Sequence, residues 1–198
     1  MSQSPTQIKL FSKQLEYYRL QDREALLEAG IGYGKSRVAS IWLAECTQKY
    51  PGTNWIMAAR DYRQLKTSVD REFEYYLNDI FGLRRDRDYR KINGSPIEYH
   101  FLRSGSRIFG FGAQNYDTAF RSGNYNGAWG DEVDFWKKEA VKALRGRIRV
   151  APERIRWTSS PYGYNHIYED FHVNGIGPVI NATSYENPTL SAEYFENL

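Results

Sequence analysis

The sequence contains little cysteine, little histidine and no long apolar run. Its one thiol, Cys46, excludes an internal disulfide framework and is typical of a reducing compartment. The three histidines have no spacing with Cys46 that indicates a zinc site. The apolar runs are too short to span a bilayer, and residues 1–4 lack the apolar core of a signal peptide. We therefore expect an intracellular soluble domain with no membrane partner.

Charge of one sign is also scarce. The 27 basic and 24 acidic side chains leave a net charge of +3, which is too small to indicate a nucleic-acid partner by itself. Hydrophobic residues make up 41% of the 198 residues, and no linker or repeat divides them, so that we predict one domain with a sizeable core. Aromatic residues reach 16%, and core packing explains them as readily as stacking on bases.

Short apolar runs alternate with amphipathic stretches along the whole chain. Residues 23–29 fit either a helix or a strand. The predicted helices cover residues 35–49, 63–81, 136–144 and 166–171, and the predicted strands cover residues 55–59, 96–102, 107–111, 154–158 and 178–183. Two of these strands flank a short Ser-Gly-Ser turn and predict a hairpin. The alternation predicts an α/β domain with a mainly parallel sheet covered on both faces.

The strongest chemical signal is a glycine-rich turn, Ala29-Gly-Ile-Gly-Tyr-Gly-Lys-Ser36, between an apolar run and a predicted helix. It matches the P-loop pattern except that Ala29 replaces the first glycine. Gly30, Gly32 and Gly34 allow backbone N–H groups to surround phosphate oxygens, while the helix presents its positive end. Lys35 would reach the β- and γ-phosphates and the Ser36 hydroxyl would ligate Mg²⁺. A plain turn before a helix is the alternative, but Gly-Lys-Ser at this junction favours binding of ATP and Mg²⁺.

A pair of adjacent carboxylates supplies the second half of a P-loop site. Asp131 would hold Mg²⁺, and Glu132 would orient and deprotonate the attacking water. The preceding residues 125–130 match a buried strand poorly, so that a charged surface loop is an equal reading of the spacing. Asp134 adds a third carboxylate, which makes a metal-dependent nuclease cluster the rival interpretation.

Together these motifs resemble the ATPase domain of the large terminase subunit, the DNA-packaging motor of tailed phages. The resemblance covers nearly the whole chain, and the order of its motifs is hard to obtain by chance. Besides the P-loop and the acidic pair, it is carried by Gln14, Trp55-Ile-Met-Ala-Ala-Arg-Asp-Tyr62, Gly112-Ala-Gln-Asn-Tyr-Asp-Thr-Ala-Phe-Arg-Ser-Gly123, Thr158-Ser-Ser-Pro-Tyr-Gly163 and Tyr185-Glu-Asn-Pro188.

The resemblance implies an α/β P-loop NTPase fold of the ASCE type, with a mainly parallel central sheet flanked by helices over residues 1–198. It implies Mg-dependent ATP hydrolysis that drives double-stranded DNA into a viral procapsid. The implied partners are the portal protein, the small terminase subunit and further copies in a ring on the procapsid, in the host cell cytoplasm. The chain itself is compatible with a monomer in solution. The C-terminal nuclease of the family would lie beyond Leu198, so that no nuclease activity is expected from this chain.

The resemblance also implies roles for individual residues. Gln14 is similar to the adenine-reading glutamine of the family. Asp131 and Glu132 fall at the positions of its metal-binding aspartate and catalytic glutamate. Ser159 and Ser160 lie in its coupling motif and would relay loss of the γ-phosphate to the DNA-gripping surface.

An arginine finger is a further expectation, since such residues accelerate phosphoryl transfer in P-loop enzymes by about 10³–10⁵. Ile31 and Tyr33 occupy the loop positions where many relatives carry a basic residue. We therefore expect a finger that acts in trans between neighbouring subunits, and Arg121 is the first candidate because the resemblance places it on the loop before the acidic pair. The alternatives are Arg145, Arg147 and Arg149.

Two other functions remain open at this point. A helicase-like nucleic-acid-dependent ATPase would carry further helicase motifs, and a nucleotide-binding assembly module would bind ATP with little turnover. Residues 84–91 hold five basic and two acidic side chains, which fit either DNA phosphates or an ordinary charged loop.

Overall fold

The computed structural model describes residues 8–120 and 123–196. The elements in chain order are α1 (Ser12–Arg19), β1 (Glu24–Ala29), α2 (Lys35–Lys49), β2 (Asn54–Ala59), α3 (Tyr62–Gln64), α4 (Asp70–Asp79), β3 (Tyr89–Ile92), β4 (Ile97–Phe101), β5 (Arg107–Gly112), α5 (Tyr116–Ala119), β6 (Gly127–Asp131), α6 (Lys138–Arg145), β7 (Arg154–Ser159), α7 (His166–Tyr168), β8 (Val179–Ala182) and α8 (Ala192–Glu196). A π-helical turn, Leu65–Val69, joins α3 to α4, and another, Glu169–Val173, extends α7. Within the described ranges, no helix has the length and hydrophobicity needed to cross a bilayer.

All eight strands form one sheet in the order β3-β4-β5-β2-β6-β7-β1-β8. Neighbouring strands from β5 to β8 in this order are parallel, whereas β3, β4 and β5 pair antiparallel. The predicted hairpin of β4 and β5 and the mainly parallel α/β sheet are thereby confirmed. Strand β7 lies between β1, which leads into the glycine-rich turn, and β6, which ends at Asp131. The two chemical motifs therefore meet at the carboxyl edge of the sheet.

Helices cover the sheet on both faces because residues of the central strands alternate in direction. In β2, Trp55 packs with residues of α2 and α4, while Ile56 packs against α6 and the segment around Phe171. Strand β1 pairs with β7 on one side and β8 on the other, and each of its residues is buried, so that residues 24–29 of the ambiguous segment 23–29 are a strand. The second predicted helix, 63–81, is interrupted by the π-helical turn and ends at Asp79.

Strand β6 is formed by the residues whose pattern matched a strand poorly. All five residues of Gly127–Asp131 are buried between β2 and β7. A side chain at Gly127 would overlap the Trp55 ring, and a Cβ at Gly130 would lie 2.6 Å from the Trp157 ring. The glycines therefore make room for tryptophans on neighbouring strands, and of the two readings that the sequence left open, the structure shows the buried strand.

Candidate functional site

The glycine-rich turn connects the end of β1 to the start of α2 and adopts a conformation that requires glycine. Gly32 and Gly34 have φ values of 78° and 89°, in the left-handed region that side chains disfavour. Lys35 folds back over the turn, and its Nζ donates hydrogen bonds to the carbonyls of Ala29 (2.7 Å) and Gly30 (3.1 Å) and to the Ser160 hydroxyl (3.0 Å). Burial lowers the pKa of Lys35, and the nearby carboxylates of Asp131 and Glu132 oppose this shift.

Gln14 of α1 is fully buried against the same turn. Its Nε2 donates to the carbonyls of Tyr33 (3.1 Å) and Gly34 (3.2 Å), and its Oε1 accepts from the backbone N–H of Phe11 (3.1 Å). The structure thus brings Gln14 to the P-loop through backbone contacts, while its adenine-reading role stays a prediction.

Asp131 ends β6 in a fully buried position close to Lys35. The hydroxyl of Thr158 donates to its Oδ1 at 2.6 Å, and the indole of Trp136 donates to its carbonyl at 3.0 Å. Burial raises the pKa of Asp131 to about 6, since the hydrogen bond from Thr158 and the charge of Lys35 only partly compensate the lost hydration.

Glu132 follows with a strained backbone, at a φ of 52° in the left-handed region. Its Oε2 accepts a hydrogen bond of 2.6 Å from the Nε2 of Gln64. Gln64 is placed by Asp61, whose side chain accepts from the Gln64 backbone N–H at 2.8 Å and caps α3. Glu132 is therefore held by a neighbour that sequence reasoning did not identify.

A cleft of about 360 Å³ brings the predicted residues together. Its lining consists of Ile31, Gly32, Gly34, Lys35, Ser36, Glu72, Asp131, Glu132 and Ser160. Glu72 of α4 was not predicted, because only its position on the polar side of an amphipathic helix marks it in the sequence. Burial raises the pKa of the Glu72 carboxyl.

The two serines of the predicted coupling motif face opposite ways. Ser160 contacts Lys35 in the cleft, whereas the Ser159 hydroxyl accepts from the Asp134 N–H at 3.2 Å on the far side of the strand end. Asp134 accepts in turn from the Tyr162 backbone N–H at 3.1 Å, so that its carboxylate faces the loop after β7 and does not extend the acidic pair. In the part of the chain that is described, no three His, Cys, Asp or Glu side chains form a metal-binding group.

The arginine candidates are distributed over the molecule. Arg121 lies outside the described residues. Arg145 is half-buried in ion pairs with Glu24, at 2.9 Å, and with Asp170. Arg147 and Arg149 bond through their backbones to Tyr125, which precedes β6 and so lies at the sheet edge opposite the P-loop. None of these three alternatives is brought to the cleft.

The basic segment 84–91 leads into β3 at the far edge of the sheet. Lys91 is buried in ion pairs of 2.8 Å with Asp70 and with Glu74. Arg87 pairs with Asp88 at the surface. Part of this charge therefore stabilises the edge of the fold.

The donor set of the cleft fits a nucleotide and a magnesium ion. The Ser36 hydroxyl and the Asp131 carboxylate supply the oxygen ligands that Mg²⁺ prefers. Lys35 and the backbone of the turn, at the start of a 15-residue helix, supply positive charge and N–H donors for phosphates. The adjacent carboxylate of Glu132 can accept a proton from a water molecule.

Comparisons with known proteins agree with this geometry. The family model of the T4-like-virus type of large terminase subunit, N-terminal part, matches residues 26–198. No curated protein matches the chain significantly.

Solved structures of phage terminases share the fold at low sequence identity. The large terminase of a thermophilic bacteriophage, in complex with ADP, superimposes with a TM-score of 0.78 at 18% identity, over 95% of this chain and 49% of that chain. The ATPase domain of the Thermus phage P74-26 large terminase matches with a TM-score of 0.74 at 18% identity, over 96% of this chain and 87% of that chain. The N-terminal domain of the bacteriophage phi29 DNA packaging ATPase matches with a TM-score of 0.55 at 16% identity, over 83% of this chain and 84% of that chain.

The chain spans about half the length of the first of these terminases, the one that was solved with ADP. At these identities the structural likeness establishes the fold, and the family model adds the membership. Since the model covers the P-loop, the acidic pair and the loop after β7, the chain belongs to the family of T4-like-virus-type large terminase subunits, in its N-terminal part.

Proposed function

We propose that this chain is a Mg-dependent ATPase that powers the movement of double-stranded DNA into a viral procapsid. The observation that carries the proposal is the convergence of Lys35, Ser36, Asp131 and Glu132 on one cleft at the carboxyl edge of the sheet. A large terminase of similar fold, from a thermophilic bacteriophage, has been solved with ADP and with ATP-γ-S, which supports a nucleotide as the ligand.

The residues of the cleft suit direct hydrolysis of the γ-phosphate. Lys35 and the loop N–H groups bind the phosphates and stabilise their charge. Glu132 orients a water molecule and takes its proton while the water oxygen bonds to the γ-phosphorus, the bond to the bridging oxygen breaks, and ADP and inorganic phosphate leave. Ser36 and Asp131 would hold Mg²⁺, which would supply positive charge against the negative charge of the phosphates.

The loop after β7 connects the cleft to the rest of the domain. The Ser160 hydroxyl accepts a hydrogen bond from Lys35, and the Ser159 hydroxyl accepts one from the Asp134 N–H in the segment after Glu132. Loss of the γ-phosphate would therefore be felt at both serines. We assign to the loop after β7 the coupling between ATP hydrolysis and DNA movement. The "Phi-28 gp11 DNA packaging Motor" shares the fold, with a TM-score of 0.53, which supports a packaging motor.

By the same argument, the partners are double-stranded DNA, a portal protein and a small terminase subunit. Copies of the chain form a ring on the procapsid in the host cytoplasm. Arg121 acts on a neighbour's nucleotide within that ring, since the P-loop carries Ile31 and Tyr33 in place of a basic residue.

Steady-state ATP hydrolysis over a series of protein concentrations, with and without duplex DNA, tests the proposal. We expect turnover that depends on Mg²⁺, rises faster than linearly with protein, and falls by about 10²-fold or more in Glu132→Gln, since a general base contributes about 10²–10⁴. Arg121→Ala should remove the steep concentration dependence. Tight binding without turnover would instead indicate an assembly module, and absence of nucleotide binding would contradict the P-loop assignment.

A further inference from the structure

In the glycine-rich turn, each of the six carbonyls of residues 29–34 accepts a hydrogen bond from a side chain. Lys35 holds the first two carbonyls, of residues 29 and 30, and Gln14 holds the last two, of residues 33 and 34. The two at the tip are held from the segment after β8: Ser184 Oγ donates to the Ile31 carbonyl and Asn187 Nδ2 donates to the Gly32 carbonyl, both at 2.7 Å.

This arrangement leaves the N–H side of the turn free. The backbone N–H groups of Ile31, Gly32, Gly34 and Lys35 have no acceptor within the described part of the chain. The C=O and N–H of a peptide unit point in opposite directions, so that a bond to a carbonyl also fixes the N–H of the next residue. Ser184 fixes the Gly32 N–H in this way, and Gln14 fixes the N–H groups of residues 34 and 35. Asn187 fixes the peptide unit of the Tyr33 N–H, which donates to the Gly30 carbonyl at 3.3 Å, and so holds closed the tip of the turn that carries the free N–H groups. A glycine-rich turn would otherwise lose much conformational freedom when it binds a ligand.

Asn187 is suited to this task by its own contacts. It is 7% exposed, and its Oδ1 accepts from the Thr189 N–H (2.9 Å) and the Thr189 hydroxyl (2.7 Å). These donors fix the orientation of the amide, so that the Nδ2 must face the Gly32 carbonyl. The position therefore needs one acceptor and one donor, which an amide supplies.

The segment that carries Asn187 and Ser184 is itself anchored to the sheet. The Gly30 N–H donates to the Ala182 carbonyl at the end of β8, at 3.2 Å. In the turn that follows, the Glu186 carboxylate accepts from the Thr183 N–H at 2.8 Å. A Cβ on Gly30 would overlap the Ser184 hydroxyl, and one on Gly32 would lie 2.8 Å from the Tyr194 hydroxyl.

We infer that Asn187, assisted by Ser184, is a positioning residue for phosphate binding: it holds the tip of the P-loop so that the loop N–H groups converge on the phosphates. This inference rests on the proposed function, because the ligand is the nucleotide of that site. It assigns a role in the ATP site to a segment more than 150 positions away along the chain.

The test is the affinity for Mg-ADP of Asn187→Asp, titrated between about pH 5 and pH 8. The variant keeps the acceptor for Thr189, but when ionised it turns a carboxylate oxygen toward the Gly32 carbonyl, and we expect binding about 10-fold weaker than wild type. When protonated, the carboxyl donates a hydrogen bond again, so that the deficit should shrink as the pH falls. A mere loss of packing would not show this pH-dependent rescue.

The matched control is Asn181→Asp, the same change at an exposed position of β8, which should follow the wild type at every pH. Ser184→Ala is the second variant, for the case that Asn187→Asp does not fold. It removes one neutral hydrogen bond and should weaken Mg-ADP binding by about 2- to 10-fold. The inference is overturned if folded Asn187→Asp binds Mg-ADP as tightly as wild type at high pH, or if its loss of affinity does not change with pH. If Asn187→Asp does not fold, wild-type affinity in Ser184→Ala overturns the inference.

Lys35→Ala separates this failure from failure of the proposed function. If wild type binds Mg-ADP, Lys35→Ala does not, and Asn187→Asp binds normally, then only the inference is wrong. If wild type does not bind, or binds equally well without Lys35, then the proposed function and the inference fall together.

Discussion

Among individual residues, Asp131 has an energetic cost built into its position. Its native pKa of about 6 lies above the ordinary value of 3.8. Between these values the native state binds more protons than the unfolded chain, so that stability falls as the pH rises from about 4 to 6. Above this window the buried carboxylate costs about 3 kcal/mol. A group to which we assign a metal-binding role is thus placed at the expense of stability.

Asp131→Asn should therefore stabilise the fold at about pH 8, by up to about 3 kcal/mol, while abolishing ATP hydrolysis. The amide keeps the acceptor for Thr158 and carries no charge to be buried. Urea unfolding between about pH 4 and pH 8 measures the effect, which should vanish at the acidic end. The same substitution at exposed Asp117 serves as the control. A gain independent of pH would contradict the explanation.

Gln64 is a second single residue with a specific effect, since its hydrogen bond orients the Glu132 carboxylate. Gln64→Leu removes the 2.6 Å hydrogen bond to the carboxylate, and we expect kcat to fall about 10-fold or more while the affinity for Mg-ADP is retained. Steady-state kinetics together with a binding titration separate the two quantities. Gln48→Leu, on the distant part of α2, should leave both unchanged. A loss of Mg-ADP affinity as large as the fall in kcat would indicate damage to the P-loop and not misorientation of Glu132.

At the scale of elements, β6 illustrates how neighbours determine which residues a strand can have. Gly127 and Gly130 have low intrinsic preference for strands, yet their missing side chains accommodate Trp55 and Trp157. The strand thereby fits between β2 and β7 and delivers Asp131 to the cleft.

Gly130→Ala should accordingly lower the free energy of unfolding by about 1–3 kcal/mol, because the added methyl overpacks a rigid aromatic contact. Gly146→Ala is the matched control: Gly146 has a helical φ of −66° after α6, and a Cβ there meets its nearest atom at 3.4 Å. That variant should be neutral or slightly stabilised, by less than about 1 kcal/mol. Thermal and urea unfolding of both proteins measure the difference, and equal stabilities would contradict the packing argument.

On the scale of the whole molecule, parts of the chain far apart in sequence contact one loop. Gln14 comes from α1, Ser160 from the end of β7, and Ser184 and Asn187 from the segment after β8. Nucleotide binding should therefore stabilise these segments together, whereas the edge strands β3 and β4 lie at the other end of the sheet.

Mg-ADP at about 100 times its Kd should raise the free energy of unfolding by about 2.7 kcal/mol. Amide hydrogen exchange should slow in residues 14–20, 30–36 and 184–190, while amides of β3 that exchange through local opening stay unchanged. Exchange measured with and without nucleotide checks this. Protection confined to residues 30–36 would mean that the contacts from the other segments do not respond to the ligand.

The family and most of its motifs could be read from the sequence because they depend on local signals. Gly-Lys-Ser before an amphipathic helix identifies the P-loop wherever the chain places it, and alternating helices and strands determine a mainly parallel sheet. Lys35, Ser36, Asp131 and Glu132 were found in this way, and the structure brings them to one cleft.

Other features were decided only by the tertiary structure, because they depend on contacts between distant residues. At the end of β7, Ser160 contacts Lys35 and Ser159 contacts the Asp134 N–H, although nothing in the sequence distinguishes the two serines. Gln64 and Asn187 are ordinary amides until folding sets one against Glu132 and the other against Gly32. A local pattern specifies which chemistry a chain carries, whereas packing across the sheet specifies which side chains hold that chemistry in place.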